Sequence, residues 1–265
     1  MNEPIRLGLL VDTLLARYQV RLFTGAIRGA RARGAHIIGF QGRFLRIEGA
    51  ETASFDGSFL FGLAAAPAVD GLVVVSNILS TAIGADAVRA FSARSGVPVV
   101  SIGELPGFPH LDVDASNGLR AVVEHLVTDH GLRRIGFVRG NTGNPDSSSR
   151  ERVFREVMHR LGVPVSEELI LPGDFMEPSG SSAVRLLLDE RRISPAAIDA
   201  LVCANDQMAV GAVQELAVRR IRVPGDVAVV GFDDDEFARN CSPPLTTVYV
   251  PIGLGECRGI VTPAA

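Results

Sequence analysis

Residues 202–212 read VCANDQMAVGA. The apolar run from Ala200 to Ala204 stops at Asn205-Asp206. A helical pattern then begins, with Met208, Ala209, Ala212, Val213, Leu216 and Ala217 sharing one face. Two physical reasons place polar side chains at such a junction. Asn and Asp cap helices, because their oxygens accept from the orphan N–H groups of the first turn, and an acid there suits the helix dipole. The C-terminal end of a strand in an open parallel sheet also faces a crevice where ligands bind. Both readings stay open at this point.

The same alternation recurs outward from this stretch. IRLGLLV (5–11) leads to a helix over Tyr18–Arg33, and HIIGF (36–40) follows. GLVVVS (71–76) leads to a helix near 82–94, and VPVVSI (97–102) comes next. A second series starts with the helix NGLRAVVEHLVTDHG, ending at Gly131, and the strand RRIGFVRG (133–140). Helices over 148–161 and 179–190, the strand DALVCA (199–204), the helix 205–219 and the strands DVAVVGF (226–232) and LTTVYV (245–250) complete it. Continuous apolar strands between amphipathic helices mean parallel sheets covered on both faces. The units are too many for one core, so the expectation is an α/β chain of two doubly wound parallel-sheet lobes. No flexible linker is visible. The chain crosses between lobes near 112–117 and 243–248, with residues 1–115 plus 246–265 in one lobe and 116–245 in the other.

Asp12, Ser76, Asn205 and Asp233 each follow an apolar strand. Four polar residues at one topological position suggest the lining of a cleft, which one capping residue would not.

The composition narrows the chemistry. Of 265 residues, 47% are apolar and 21% charged, as in globular proteins. No apolar run is long enough to span a membrane. The first residues, MNEPIRLGLLVDTLL, show no signal peptide, so a cytoplasmic location is expected. The net charge of −4 argues against this stretch gripping nucleic acid by itself. RGARARG (28–34) and RRIR (219–222) read as solvated helix faces. All 26 basic residues are arginine, which excludes a lysine Schiff base and a P-loop lysine. Cys203, Cys241 and Cys257 form no zinc or disulfide pattern, and Cys203 reads as a small buried hydrophobe.

The dinucleotide fingerprint, the nucleophile elbow and the zinc-protease motif are all missing. His125 and His130 are five apart on one expected helix, so they should diverge around it as structural or exposed residues. DDDE (233–236) lacks the alternation and the glycine of a calcium loop. The expectation is therefore no enzyme, no metal, no cofactor and a cleft of hydrogen-bonding groups.

The segment CANDQMAVGAVQELAVRRIRVPGDVAVVGFDDDEFARNCSPPLTTV (203–248) resembles the LacI/GalR family of bacterial sugar- and metabolite-sensing repressors. The resemblance extends back through NGLRAVVEHLVTDHGLRRIGFVRG, through SSSRERVF, which resembles the segment carrying the family's ligand arginine, and through GDFMEPSG, which resembles the loop carrying its stacking aromatic. It implies a periplasmic-binding-protein-like fold of type I, with the ligand cleft between the lobes. The ligand contacts it implies are Asn117, Arg150, Phe175, Asn205 and Asp233, with Asp12 and Tyr18 lining the N-terminal side. It also implies a homodimer, and the small and apolar run FLFGLAAAPA, with the helices near 57–65 and 82–94, would suit that role.

Family repressors carry a DNA-binding headpiece ahead of the first sheet strand; these residues begin at that strand. DNA binding is therefore expected only through a headpiece absent from this chain. YQVRLFTGAIRGARARGAHIIGFQG also resembles LacI-like sensor modules of diguanylate cyclases and histidine kinases. That leaves a signalling module of this kind, or a solute-binding protein, as the alternative to a repressor's effector domain. After LTTVYVP the family adds a helix and a crossing strand, for which IGLGECRGIVTPAA reads as too short and too rich in glycine.

Overall fold

In a computed structural model, residues 3–14, 17–42, 59–112, 115–250 and 260–262 are described. The chain forms two compact units, Met1–Val113 with Pro251–Ala265, and Asp114–Val250.

The first unit contains β1 (Arg6–Val11), α1 (Arg17–Arg31), β2 (His36–Gln41), α2 (Phe59–Gly62), β3 (Gly71–Val75), α3 (Ser76–Ile83), α4 (Ala85–Arg94), β4 (Val99–Ile102) and β5 (His110–Asp112). The second contains α5 (Ser116–Thr128), β6 (Ile135–Val138), α6 (Pro145–Arg160), β7 (Ile170–Leu171), α7 (Glu177–Arg185), β8 (Ala200–Cys203), α8 (Asp206–Val218), β9 (Ala228–Asp233), α9 (Glu236–Asn240) and β10 (Thr246–Tyr249). The short strand β11 (Ile260–Thr262) rejoins the first sheet.

The strand orders are β11-β5-β4-β3-β1-β2 and β10-β9-β8-β6-β7. Apart from β11, which pairs antiparallel with β5, all pairings are parallel. Each unit therefore repeats one doubly wound order, in which the first strand lies between the second and the third. The winding reverses between β1 and β3 in one unit and between β6 and β8 in the other. In such sheets the crevice opens at the carboxyl ends of those two strands. The central strands are wholly buried: every residue of β6 and of β8 is inside.

The elements differ from the sequence reading in several places. The helix expected over 82–94 is two helices, α3 and α4, broken at Gly84. The helix near 57–65 is the four-residue α2, and residues 57 and 58 of that expectation lie outside the described residues. Phe61 and Ala64 are buried there, while Leu60 and Leu63 are half exposed. β10 runs parallel to β9, Thr246 opposite Val230 and Tyr249 opposite Asp233, so residues 246–249 belong to the second sheet and not to the first lobe. A strand is also present within IGLGECRGIVTPAA, where the sequence reading gave too little chain for helix and strand together.

Candidate functional site

Two helices carry the site of the second unit, and both are capped by asparagine. Asn144 caps α6 by accepting from the Ser147 amide at 3.0 Å, with Pro145 opening the helix and Asp146 in its first turn. This fixes the start of the helix, and with it Arg150. Asn205 caps α8 by accepting from the Met208 amide at 3.0 Å. Its Nδ2 donates to the Phe175 carbonyl at 2.8 Å. The capping reading of Asn205 is thus correct, and the same side chain holds the loop that carries the aromatic.

The four residues Arg150, Phe175, Asn205 and Asp233 come together at the carboxyl ends of β8 and β9. Arg150 Nη1 donates to the Ala204 carbonyl at 2.5 Å, and Nη2 lies 3.5 Å from Asp233 Oδ1. The guanidinium carbon stands 3.9 Å from the centre of the Phe232 ring and 5.8 Å from that of Phe175. The Arg150 and Asp233 side chains remain 17% and 26% exposed, so both can still reach a ligand.

Phe175 and Asp233 have backbones in the left-handed region, with φ of 68° and 109°. Non-glycine residues seldom adopt it, and such strain clusters at functional sites. Burial pushes the Asp233 carboxyl up to about 7; Arg150 opposes this, while Asp206, Asp146 and Asp235 add to it. Near neutral pH that carboxyl can therefore donate as well as accept. Together with a guanidinium fork and an aromatic face, it suits a ring bearing hydroxyls.

Sequence reasoning missed the supports of this quartet. Phe232 lies under the guanidinium. Gly140 clears room for the Phe175 ring: a Cβ there would stand 2.5 Å from Cε1 and closer still to Cζ. Asp206, 1% exposed, accepts from the Asp235 amide at 2.7 Å and from Thr247 Oγ1 at 2.6 Å. Its burial raises its carboxyl to about 6. Gly231 leaves the space for it, since a Cβ there would collide with Asp206 Oδ1. The glycines are visible in GFDDD and VRGN, but their partners lie far away in sequence.

The other expected residues lie outside the contacts of this quartet. Asp12 and Tyr18 belong to the first unit. Asp12 Oδ1 accepts from Gln19 Nε2 at 3.1 Å, and burial raises its carboxyl. Asn77 Nδ2 donates to Tyr18 Oη at 3.3 Å. Asn117 is exposed in the first turn of α5, outside the contacts that join the quartet. Ser76 does not line a cleft: it is fully buried, and its hydroxyl serves the ends of β4, including Ser101 Oγ at 2.7 Å and the Gly103 carbonyl at 3.0 Å.

His125 and His130 do not diverge. α5 ends at Thr128, so His130 lies past it and its ring meets that of His125. Cys203 is buried within β8, and burial raises its thiol. Each acid of DDDE has its own place: Asp233 faces Arg150, Asp234 pairs with Arg239 at 2.5 Å, Asp235 caps α9, and Glu236 opens that helix. Among the described residues, no group of three or more His, Cys, Asp or Glu could hold a metal ion, and no helix is long and apolar enough to cross a membrane.

Residues 123–254 match the periplasmic-binding-protein-like domain. The HTH-type transcriptional regulator CelR of Thermobifida fusca is 34% identical over 200 residues, covering 74% of this chain and 56% of that protein. The regulator DegA of Bacillus subtilis is 32% identical over 189 residues, covering 69% and 53%. The chain belongs to the LacI family. The CelR–cellobiose complex superposes with a TM-score of 0.78 at 28% identity, covering 96% of this chain and 76% of that one. A LacI-family regulatory protein from Chloroflexus aggregans gives 0.75 at 25% identity, covering 93% and 85%. The chain spans about half the length of the curated LacI-type relatives it matches.

Proposed function

We propose that this chain is the effector-sensing part of a LacI-type transcription regulator, taking up a sugar or a related small metabolite. The observation that carries this reading is the convergence of Arg150, Asp233, Asn205 and Phe175 where strand ends of a doubly wound sheet meet two capped helices. Asp12, Tyr18 and Asn117 complete the ligand contacts on the family resemblance. A ligand touching both units would draw them together, and that closure would be the signal. The curated relatives are HTH-type transcriptional regulators, which favours a DNA-directed output over a cyclase, a kinase or a transport role. DNA contact then belongs to a helix-turn-helix headpiece and not to these residues. The protein works as a cytoplasmic homodimer without catalysis.

Cellobiose is the first probe, because it is the ligand in the CelR complex. A thermal-shift screen of cellobiose, glucose and other mono- and disaccharides should raise the melting temperature with at least one of them. Calorimetry then gives the dissociation constant, and small-angle scattering should show a smaller radius with ligand. A flat screen across neutral sugars overturns the sugar reading.

A further inference from the structure

Beyond the end of α5 the chain curls back on itself. The amides of Asp129 and His130 both donate to the His125 carbonyl, at 3.1 and 3.4 Å, and the Leu132 amide returns to the Leu126 carbonyl at 3.0 Å. This brings the His130 ring edge-on to that of His125, with centroids 4.6 Å apart and planes at 84°. The two Nε2 atoms face each other at 3.0 Å. On its other side, His125 Nδ1 lies 2.6 Å from Asp129 Oδ2, and Asp129 Oδ1 accepts from Thr128 Oγ1 at 2.8 Å. His125 is half exposed, so water and ions reach the pair.

A carboxylate can only accept, so His125 Nδ1 carries the proton and donates it to Asp129. Its Nε2 faces that of His130, and the two rings share one hydrogen bond there. We propose that His125 and His130 form a two-nitrogen chelate for a divalent transition-metal cation, each ring turning its Nε2 onto the metal in place of the hydrogen bond between them. Both rings coordinate as neutral imidazoles, and the proton held between the two Nε2 atoms is lost to solvent as the metal binds.

Two observations fit this assignment. Metal-bound histidines regularly donate their second N–H to a carboxylate, which orients the ring and raises its basicity; Asp129 already does so. The second is the spacing. With metal–nitrogen bonds of about 2.0–2.1 Å, ligands at right angles stand about 2.9 Å apart, while tetrahedral ones stand about 3.3 Å apart. The 3.0 Å between the two Nε2 atoms is a hydrogen-bond distance, close enough for small ring rotations to bring both nitrogens onto one ion; imidazole nitrogens suit copper(II), nickel(II) and zinc(II), with copper(II) bound tightest of the three. With no third His, Cys, Asp or Glu ligand among the described residues, water fills the other positions.

The test titrates the intact chain with copper(II), nickel(II) and zinc(II) by calorimetry, in a weakly coordinating buffer at pH 7.5. One equivalent of copper should bind at micromolar affinity, ahead of nickel and zinc. His125→Gln and His130→Gln should each weaken it at least thirtyfold. Asp129→Asn should weaken it about tenfold. Copper electron paramagnetic resonance should show two nitrogen couplings in the wild type and fewer in either histidine variant. Both residues lie on the surface, and matching circular dichroism of the variants confirms that they fold. Equal copper affinity in wild type and in His125→Gln/His130→Gln overturns the proposal and assigns any binding to His36, His110, His159 or the chain terminus.

Discussion

Gly140→Ala tests the seating of Phe175 without removing any group of the site. The added methyl would stand 2.5 Å from Phe175 Cε1, and nearer to Cζ. Carbon atoms in contact prefer about 3.5–4.0 Å, so the ring must retreat by more than about 1 Å. It has room to do so outward, because Phe175 is half-buried. That movement pulls on a residue already held at φ 68° and on the 2.8 Å bond from Asn205 Nδ2 to its carbonyl. Losing that bond costs about 1 kcal/mol, and crowding a packed contact adds about 1 kcal/mol at its lower end. The expected destabilisation is therefore about 1–2 kcal/mol by urea denaturation. Affinity for any sugar found in the screen should fall about tenfold or more, because an aromatic face displaced by more than 1 Å no longer stacks. Phe175→Ala should remove the clash, so Gly140→Ala in that background should change stability by less than about 0.5 kcal/mol. Equal costs of Gly140→Ala with and without the Phe175 ring would refute the reasoning, whatever the ligand.

Arg150→Ala and Asp233→Ala each remove charge-assisted hydrogen bonds worth roughly 1.5–3 kcal/mol, so calorimetry should show affinity lower by about ten- to more than a hundredfold, and Arg150→Ala should also lower the melting temperature, because it loses the bond to the Ala204 carbonyl and the contact with Phe232; an unchanged dissociation constant in the Asp233 variant would reduce GFDD to a turn. Asp206 and Asp233 keep their protons to about 6 and about 7, against 3.8 unperturbed. Between those values the folded state binds more protons than the unfolded state, so their contribution to stability is fullest below pH 4 and is lost as pH rises through 7, by about 4 kcal/mol between pH 5 and pH 8. Thermal melts across that range should slope downward in the wild type and less steeply in Asp233→Asn; parallel slopes would count against the shift. Asp206→Ala leaves the Asp235 amide and the Thr247 hydroxyl without their acceptor in a buried place, at about 2–4 kcal/mol by denaturation, and a loss below about 1 kcal/mol would deny Asp206 its structural role.

The winding of both sheets was legible because their central strands are largely buried, β6 and β8 on every residue and β1 and β3 on most. A strand covered on both faces reads as an unbroken apolar run, and its β-branched residues and short length tell it from a buried helix. Strands of two or three residues leave no such trace. β5, β7 and β11 lie toward or at sheet edges and are defined by pairing partners distant in sequence, not by their own pattern. The break at Gly84 was hidden because the helical periodicity resumes at once in α4. The meeting of His125 and His130 was hidden for a related reason: five-residue spacing separates side chains only while the helix continues, and α5 stops two residues short of His130.

The pair Asn205-Asp206 shows why capping and cleft lining could not be separated from sequence. A strand that ends at the open side of a parallel sheet must also start its following helix there, so one position inherits both tasks. Asn205 spends Oδ1 on the first turn of α8 and Nδ2 on the Phe175 carbonyl. Asp206 turns inward to Thr247 on β10 and to the amide of Asp235. One residue thus positions the aromatic, and its neighbour ties the helix start to the loop that follows Asp233. The cap is the means by which the site is held. Arg150 reaches Asp233 across a scaffold in which the helix starts, and not the strands, set the distances, so a substitution at either Asn205 or Asp206 should disturb ligand affinity through Phe175 and Asp233 even where the ligand touches neither.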